Sequence, residues 1–251
     1  MLLSDLTTAF MLLTRLPVGR FARPGVAPEM ARCVWAFPVV GLVVNLAAAL
    51  AYRLGREAGL PPLLAATWTL VAVALMTGAL HEDGLADTAD GFGGGATPAR
   101  KLEIMRDSRI GSYGALAVLL SVVLRVSAIA ALGQPGAVAV GLILAGMLGR
   151  SGMILLLVLL RPARADGLGA SVARPPFWSV AAGLGLSVAA SFALLPVRPA
   201  LAAVVLGAGA SLVLARMAVV RIGGYTGDVL GATEMVTGCV VLTGLASAFS
   251  A

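Results

Sequence analysis

The residues most able to do chemistry in this sequence are a group of carboxylates. Acidic side chains are scarce: 12 of the 251 residues are Asp or Glu, and six of these twelve fall between positions 82 and 107. The spacing D-x3-D-x2-D puts Asp83, Asp87 and Asp90 within about 60° of arc on one face of a helix. Because like charges this close repel one another, the pattern indicates a cation between them. The alternative is a polar loop in which the aspartates are solvated.

The donor chemistry of this group favours a hard divalent cation. Oxygen ligands without Cys, and with at most one His, suit Mg²⁺ or Mn²⁺ better than Zn²⁺. Mg²⁺ held by few carboxylates takes its other ligands from water and substrate phosphates. Glu103 and Asp107, one helical turn apart, could complete such a site. Alternatively they pair with Lys101, Arg106 and Arg109 as a surface network.

Two short segments combine an arginine with glycines before an apolar stretch. R-I-G-S-Y at 109–113 is echoed by R-I-G-G-Y at 221–225. Glycines that open a helix expose backbone N–H groups at its positive end, and a nearby arginine makes that end an anion site. The segments therefore predict anion binding around Arg109 and around Arg221 with Gly224. The alternative is two simple glycine turns between helices.

Three further ionisable residues lie near these segments. Asp228 follows the second segment, and Glu234 stands at the head of the last apolar block, where a carboxylate needs a partner. His81, the only histidine, could be a base, a ligand or an ordinary interfacial residue. Carboxylates for a metal, cations for phosphate and a glycine-lined opening are the parts that phosphoryl-group transfer requires.

The elements that must position these residues are membrane helices. Only 12% of the chain is charged and 59% is apolar, whereas a soluble domain carries about 25% charged residues. Seven stretches approach the roughly 20 apolar residues that a span needs. They cover about 34–52, 60–80, 112–133, 136–160, 177–197, 199–220 and 235–250. We therefore predict an all-α, polytopic integral membrane bundle of about seven transmembrane helices, forming a single domain over 1–251.

The N-terminal segment and the basic residues predict how the bundle is oriented. The segment at 1–16 places five apolar residues on roughly one helical face, which is typical of an interfacial helix: Leu2, Leu3, Leu6, Phe10 and Leu13. We do not expect a cleaved signal peptide, because the positive charges follow the apolar run instead of preceding it. Of 18 Lys and Arg, 13 fall on the N-terminal side of the threaded blocks and three on the other. This asymmetry predicts a cytoplasmic N-terminus, with the active-site segments at about 81–111 and 223–234 on the same face.

Composition also excludes two classes of partner. The sequence pI is about 10.3, but the basic residues stand singly between apolar blocks without interleaved aromatics, so no nucleic-acid binding is expected. Cys33 and Cys239 have no Cys or His at zinc spacing and are expected to be inert thiols.

The motifs together resemble the cobalamin (5'-phosphate) synthase family, also called adenosylcobinamide-GDP ribazoletransferases. The resemblance is carried, in order, by T-R-L-P at 14–17, F-P-V-V-G at 37–41, H-E-D-G-L-A-D-T-A-D-G at 81–91, E-I-M-R-D-S-R-I-G-S-Y-G at 103–114 and G-G-Y-T-G-D-V-L-G-A at 223–232. Asn45 departs from the small or apolar residue that the family pattern suggests. The combination of motifs is specific, although each one alone is not.

The resemblance implies a late step of vitamin B12 assembly in a bacterial inner membrane. Adenosylcobinamide-GDP and α-ribazole, or its 5'-phosphate, would give adenosylcobalamin, or its phosphate, and GMP, with Mg²⁺ required. The metal ligands would be Asp83, Asp87 and Asp90, with Glu103 as a further candidate. The phosphate-binding residues would be Lys101, Arg106 and Arg109, with Arg221 and Gly224 at the second segment. The candidates for the proton acceptor would be Asp107, Asp228 and His81.

Two other functions are compatible with acidic residues in a membrane protein. A CDP-alcohol phosphotransferase also sets aspartates at a membrane face, but its pattern D-x2-D-G-x2-A-R lacks a match here, because D-G-L-A-D-T-A-D has no arginine at that point. A cation transporter would carry acidic residues at mid-bilayer on several spans. Here only Glu234 enters an apolar block, which disfavours transport.

Overall fold

The computed structural model of the protein describes residues 1–21 and 29–250. Its helices are α1 (Leu2–Leu13), α2 (Phe37–Glu57), α3 (Pro62–Thr77), α4 (Leu80–Gly94), α5 (Pro98–Ile104), α6 (Ser112–Leu132), α7 (Pro135–Leu159), α8 (Leu168–Ser171), α9 (Phe177–Leu194), α10 (Val197–Ile222) and α11 (Gly227–Ser250). Two 3-10 segments, Val18–Phe21 and Met30–Ala36, precede α2. Among these residues no strand forms, so the predicted all-α class is confirmed.

Six of the helices are long and apolar enough to cross a membrane: α2 with the 3-10 segment before it, α6, α7, α9, α10 and α11. The remaining predicted span, at about 60–80, contains α3, which has 16 residues and is followed by a sharp bend. α3 ends at Thr77, and Gly78 and Ala79 both adopt left-handed backbone angles, with φ of 66° and 55°. α4 consequently leaves at 90° to α3 and does not continue its span. The protein is thus a multi-pass membrane bundle of six to seven spans.

α1 is too short to span the membrane, whereas α7 is a buried span at the centre of the bundle. α1 has 12 residues, a length of about 18 Å that is too short to cross a bilayer. α7 is the central helix, with 83% of its most apolar window buried, against 22% for the peripheral α9. Glycines let α2 and α7 pack closely, because a Cβ on Gly41 of α2 would collide with the backbone carbonyl of Gly146 in α7. Such small-residue contacts are the usual packing device of membrane helices.

The alternating direction of the spans collects the polar segments at one end of the bundle. The N-terminal ends of α6 and α11 and the C-terminal ends of α3, α7 and α10 meet there, beside α1, α4 and α5. Backbone contacts join these segments: the Arg15 N–H donates to the Met76 carbonyl at 2.8 Å, and the Tyr225 N–H donates to the Arg161 carbonyl at 3.0 Å. We call this the acidic end.

Candidate active site at the acidic end

Glycine positions α4 directly against the first turns of α11. A Cβ on Gly84 would lie 2.8 Å from the backbone oxygen of Asp228, and a Cβ on Gly231 would lie 3.4 Å from the Cα of His81. A contact below 3.0 Å with backbone requires the helices to move apart. The motifs at 81–91 and 223–232, far apart in sequence, are therefore brought together by the absence of side chains at their crossing.

This crossing forms one side of a cavity with a volume of about 170 Å³. The polar residues that line it are His81, Asp83, Arg164, Asp166, Tyr225, Thr226 and Asp228. Apolar side chains from α1, α2 and α7 close the other side. The structure thus brings three predicted site residues, His81, Asp83 and Asp228, to one cavity.

The aspartates of α4 and α11 influence one another electrostatically. Burial, together with the charges of Asp83, Asp228 and Asp90, raises the pKa of Asp87 to about 7. Burial is the largest cause of this shift, and the neighbouring carboxylates add to it. Asp83, Asp87 and Asp228 therefore form a concentrated negative region beside the cavity, which favours a bound cation.

Asp228 is held by a residue that sequence analysis did not select. Arg164 Nη2 donates to Asp228 Oδ2 at 3.0 Å, and the Thr226 hydroxyl donates to the same oxygen at 3.1 Å. The other terminal nitrogen of Arg164, Nη1, is buried without a hydrogen-bond partner among residues 1–21 and 29–250. A cation with a free donor at the cavity can bind an anion. Arg164 lies 64 positions from Asp228 and in no recognised motif, so no local signal identified it.

The loop that carries Arg164 is fixed by backbone pairing to the turn before α11. The Ala163 N–H donates to the Tyr225 carbonyl at 2.8 Å, beside the reciprocal bond from Tyr225 to Arg161. Gly224 has a packing role here, because a Cβ at this position would collide with the Arg161 carbonyl. The glycine predicted to open an anion site thus serves to bring Arg164 into place.

The structure gives Asp90 a partner other than a metal. Its carboxylate accepts hydrogen bonds from the backbone N–H groups of Gly111 and Gly114, at 2.7 and 2.8 Å. It therefore satisfies the positive N-terminal end of α6. This contact takes up two of the backbone N–H groups at the predicted anion site at 109–113, and phosphate binding there stays a prediction.

A three-carboxylate metal site is not assembled as the sequence predicted. Within the described residues no three Asp, Glu, His or Cys side chains converge closely enough to hold an ion. Asp90 is turned towards α6, and Glu103 lies on the exposed side of α5, where Arg100 Nη1 pairs with it at 2.7 Å. Asp83, Asp87 and Asp228 remain as carboxylates near the cavity.

The predicted phosphate-binding residues are dispersed. Lys101 is buried, and its Nζ donates to the carbonyl oxygen of Gly95. Arg109 is exposed and pairs with Asp107 at 2.6 Å, which lowers the pKa of that carboxyl to about 2. Arg221 reaches only the carbonyl oxygen of Phe92, at 3.5 Å. None of these residues lines the cavity at the α4–α11 crossing.

Arg106 is the predicted cation that approaches this cavity. It donates two hydrogen bonds, of 2.8 and 2.7 Å, to the carboxylate of Asp166. Asp166 lines the cavity. The pair therefore joins the segment after α5 to the loop that carries Arg164, at the rim of the cavity. Asp107, by contrast, lies with Arg109 at a separate shallow cavity of about 270 Å³.

Behind the cavity, inside the bundle, lies a buried ionic network. Arg150 Nη1 donates to Glu234 Oε1 at 2.8 Å, and Arg125 Nη1 donates to Glu82 Oε1 at 3.0 Å. The Nδ1 atom of His81 is 4.0 Å from Glu234 Oε2. The partner that sequence analysis required for Glu234 is therefore Arg150, which itself lies within an apolar helix. His81 stands between this network and the cavity.

Replacing Gly84 by alanine should weaken the α4–α11 crossing. The added Cβ would contact the Asp228 backbone, and overpacking of this kind costs about 1 to 3 kcal/mol. We expect the unfolding midpoint in detergent to fall by roughly 2 to 10 °C, measured by differential scanning fluorimetry. Gly185→Ala in α9 is the matched control, because its Cβ would meet nothing within 4 Å. Equal midpoints for both variants would show that the helices do not cross here.

Comparison with known proteins identifies the family. Residues 5–246 match the family described as cobalamin-5-phosphate synthase. A protein of Bradyrhizobium diazoefficiens named adenosylcobinamide-GDP ribazoletransferase is 49% identical over 98% of this chain and 94% of its own. Proteins of the same name from Azorhizobium caulinodans and Sinorhizobium medicae are 43% and 42% identical over 97% of this chain and 96% of theirs. No solved structure gives a significant match. The chain therefore belongs to the cobalamin-5-phosphate synthase family.

Proposed function

We propose that this membrane transferase of cobalamin biosynthesis joins adenosylcobinamide-GDP to α-ribazole, or to its 5'-phosphate, and releases GMP. The names of its relatives supply the substrates. The observation that carries the proposal is the α4–α11 crossing, which places Asp83 and Asp228 at one cavity with the free guanidinium nitrogen of Arg164. Carboxylates and a cation at one cavity are what transfer of a substituted phosphate requires.

The proposed reaction is a displacement at phosphorus. The ribose 3'-hydroxyl oxygen forms a bond to the phosphorus attached to the aminopropanol arm, and the bond from that phosphorus to the bridging oxygen breaks. GMP leaves with the bonding electron pair. Of the predicted acceptors for the hydroxyl proton, Asp228 and His81 line the cavity and Asp107 does not. We assign the acceptor role to Asp228, which Arg164 and Thr226 hold in place.

A requirement for Mg²⁺, or Mn²⁺ in its place, is part of this proposal. Mg²⁺ is usually bound by one or two carboxylates, with water and substrate phosphates as its other ligands. Asp83 and Asp87 of α4, whose charges interact, are the two carboxylates that would hold such an ion. When bound, the ion would neutralise charge on the pyrophosphate. Arg164 would bind a phosphate oxygen through Nη1, which has no protein partner in the described chain.

The test is GMP release by the purified protein in detergent. We expect release from adenosylcobinamide-GDP that depends on α-ribazole and on Mg²⁺, with one cobalamin formed for each GMP. Release that is equal without α-ribazole would indicate a hydrolase and contradict the proposal. Transfer between CDP-alcohols would instead support a CDP-alcohol phosphotransferase. Cation flux into vesicles without GMP release would support a cation transporter.

We also propose that the acidic end faces the cytoplasm, as the excess of basic residues on that side indicates. After the buried Cys33 and Cys239 are replaced, a cysteine introduced at the exposed Glu103 should react with an impermeant maleimide only in inside-out vesicles. One introduced at the exposed Arg198, at the opposite end of the bundle, should react from outside intact cells. Labelling of the Glu103 position in intact cells would reverse the orientation.

A further inference from the structure

The apolar half of the cavity has no part in the phosphate chemistry described above. Its wall includes Leu13 of α1, Phe37 of α2, Met153 of α7 and Val172 after α8. These side chains are at most 5% exposed. Four separate segments of the chain therefore converge on an apolar surface that adjoins Asp83 and Asp228.

Besides Arg164 Nη1, two buried polar atoms at this cavity lack a partner among the described residues. The Tyr225 hydroxyl and the Nε2 atom of His81 make no hydrogen bond within the described part of the chain, and both residues line the cavity. Tyr225 is 1% exposed and His81 is 3% exposed. Because buried polar groups are almost always hydrogen-bonded, their isolation points to a ligand that brings a polar atom into an otherwise apolar space.

Size and polarity restrict the ligand group that fits. An apolar cavity of about 150 Å³ binds benzene. The whole cavity here, with its polar side, measures about 170 Å³ and is open on one side, so its apolar half suits a flat aromatic base that extends towards the opening. Guanine carries a carbonyl, an amine and a ring N–H, which an apolar wall would leave unpaired. The dimethylbenzimidazole of α-ribazole carries two methyl groups and, besides its glycosidic nitrogen, one ring acceptor.

We propose that this apolar half is the binding site for the dimethylbenzimidazole base of α-ribazole. The inference rests on the proposed function and deepens it by assigning one part of one substrate. The base lies against Leu13, Phe37, Met153 and Val172, and its ring nitrogen accepts a hydrogen bond from the Tyr225 hydroxyl. The attached ribose is then directed towards the carboxylates, which brings the 3'-hydroxyl to Asp228.

The first test varies the base and leaves the protein unchanged. A benzimidazole α-riboside without the two methyl groups should show a KM roughly tenfold higher than α-ribazole, because each buried methyl contributes to binding. The adenine α-riboside should be weaker still, since its amine meets an apolar wall. The KM for adenosylcobinamide-GDP should stay within about twofold throughout. Equal KM values for the three ribosides would overturn the proposal.

The second test locates the base with Val172. Val172→Phe fills the cavity and should raise both the KM and the equilibrium dissociation constant for α-ribazole alone by roughly tenfold or more. Val172→Ala makes the side chain smaller and should disturb folding less. It should reduce the ratio of the KM values for the unmethylated and methylated bases. Val158→Phe is the matched control, because Val158 of α7 is 54% exposed on the outside of the bundle.

The outcomes separate this inference from the function on which it rests. Normal turnover with an unchanged KM for α-ribazole in both Val172 variants would overturn the base site alone. A higher KM only for adenosylcobinamide-GDP would place the other substrate in the cavity and also overturn it. Absence of α-ribazole-dependent GMP release in the unaltered protein would contradict the proposed function, and direct binding of α-ribazole would then decide the base site independently.

Discussion

Asp83→Asn and Asp228→Asn are each expected to lower kcat for GMP release by roughly 10³ to 10⁴. Asparagine keeps the size of the side chain and removes its negative charge. Loss of one charged group at a metal-assisted phosphoryl site raises the barrier by several kcal/mol, which corresponds to three to four decades in rate. The measurement is steady-state release of GMP at saturating Mg²⁺ and both substrates.

Variants of two other carboxylates, which lie outside the cavity, serve as comparisons. Glu57→Gln is the matched control: Glu57 is exposed at the opposite end of the bundle, paired with Arg53 at 2.8 Å, and should retain full activity. Asp107→Asn distinguishes the sequence prediction from the structure. Asp107 lies outside the cavity with Arg109, so we expect activity within about threefold of wild type. A loss at Asp107 equal to that at Asp83 would move the site towards 107–109.

The buried pair of Arg150 and Glu234 should control stability. Arg150 is 1% exposed, and the Glu234 side chain is 12% exposed. Arg150→Met leaves the Glu234 carboxylate without its main partner, and Glu234→Gln leaves the guanidinium without its counter-charge. Removing one partner of a buried pair costs about 3 to 5 kcal/mol. Each single variant should therefore lower the free energy of unfolding by about this amount, measured by denaturant titration in mixed micelles.

The double variant provides the decisive comparison. Arg150→Met combined with Glu234→Gln removes both charges, so most of the stability lost in either single variant should return. Arg53→Met and Glu57→Gln, alone and together, form the control cycle, since that exposed pair is worth about 0 to 1 kcal/mol. If the losses at Arg150 and Glu234 simply add, the two charges do not interact in the bundle.

Local sequence pattern predicted the elements of this protein well. Long apolar blocks marked the spans because a bilayer demands about 20 apolar residues in a row. The pattern could not show the corner between α3 and α4, because it depends on a left-handed conformation at Ala79. Alanine carries no signal for that conformation. The apolar block at 60–80 therefore predicted the span that contains α3 but not the bend at its end.

The site was predicted less completely because its contacts are long-range. Helical spacing placed Asp83, Asp87 and Asp90 on one face, and the helix that this requires is present as α4. It could not anticipate that the N-terminal end of α6 would lie against Asp90 and bind it. Arg164 was missed for a related reason. It reaches the cavity because residues 161–163 pair with Tyr225, and no motif encodes this pairing.

The ion pair between Arg106 and Asp166 makes the rim of the cavity sensitive to ionic strength. Both side chains are more than half exposed, at 56% and 68%, and the screening length falls from about 10 Å at 0.1 M salt to about 3 Å at 1 M. The more buried pair of Arg164 and Asp228, at 18% and 22%, is screened less. Concentrated salt therefore loosens the outer support of the Arg164 loop before it affects the carboxylates within. Kinetic constants for the charged substrates are comparable only between buffers of equal ionic strength.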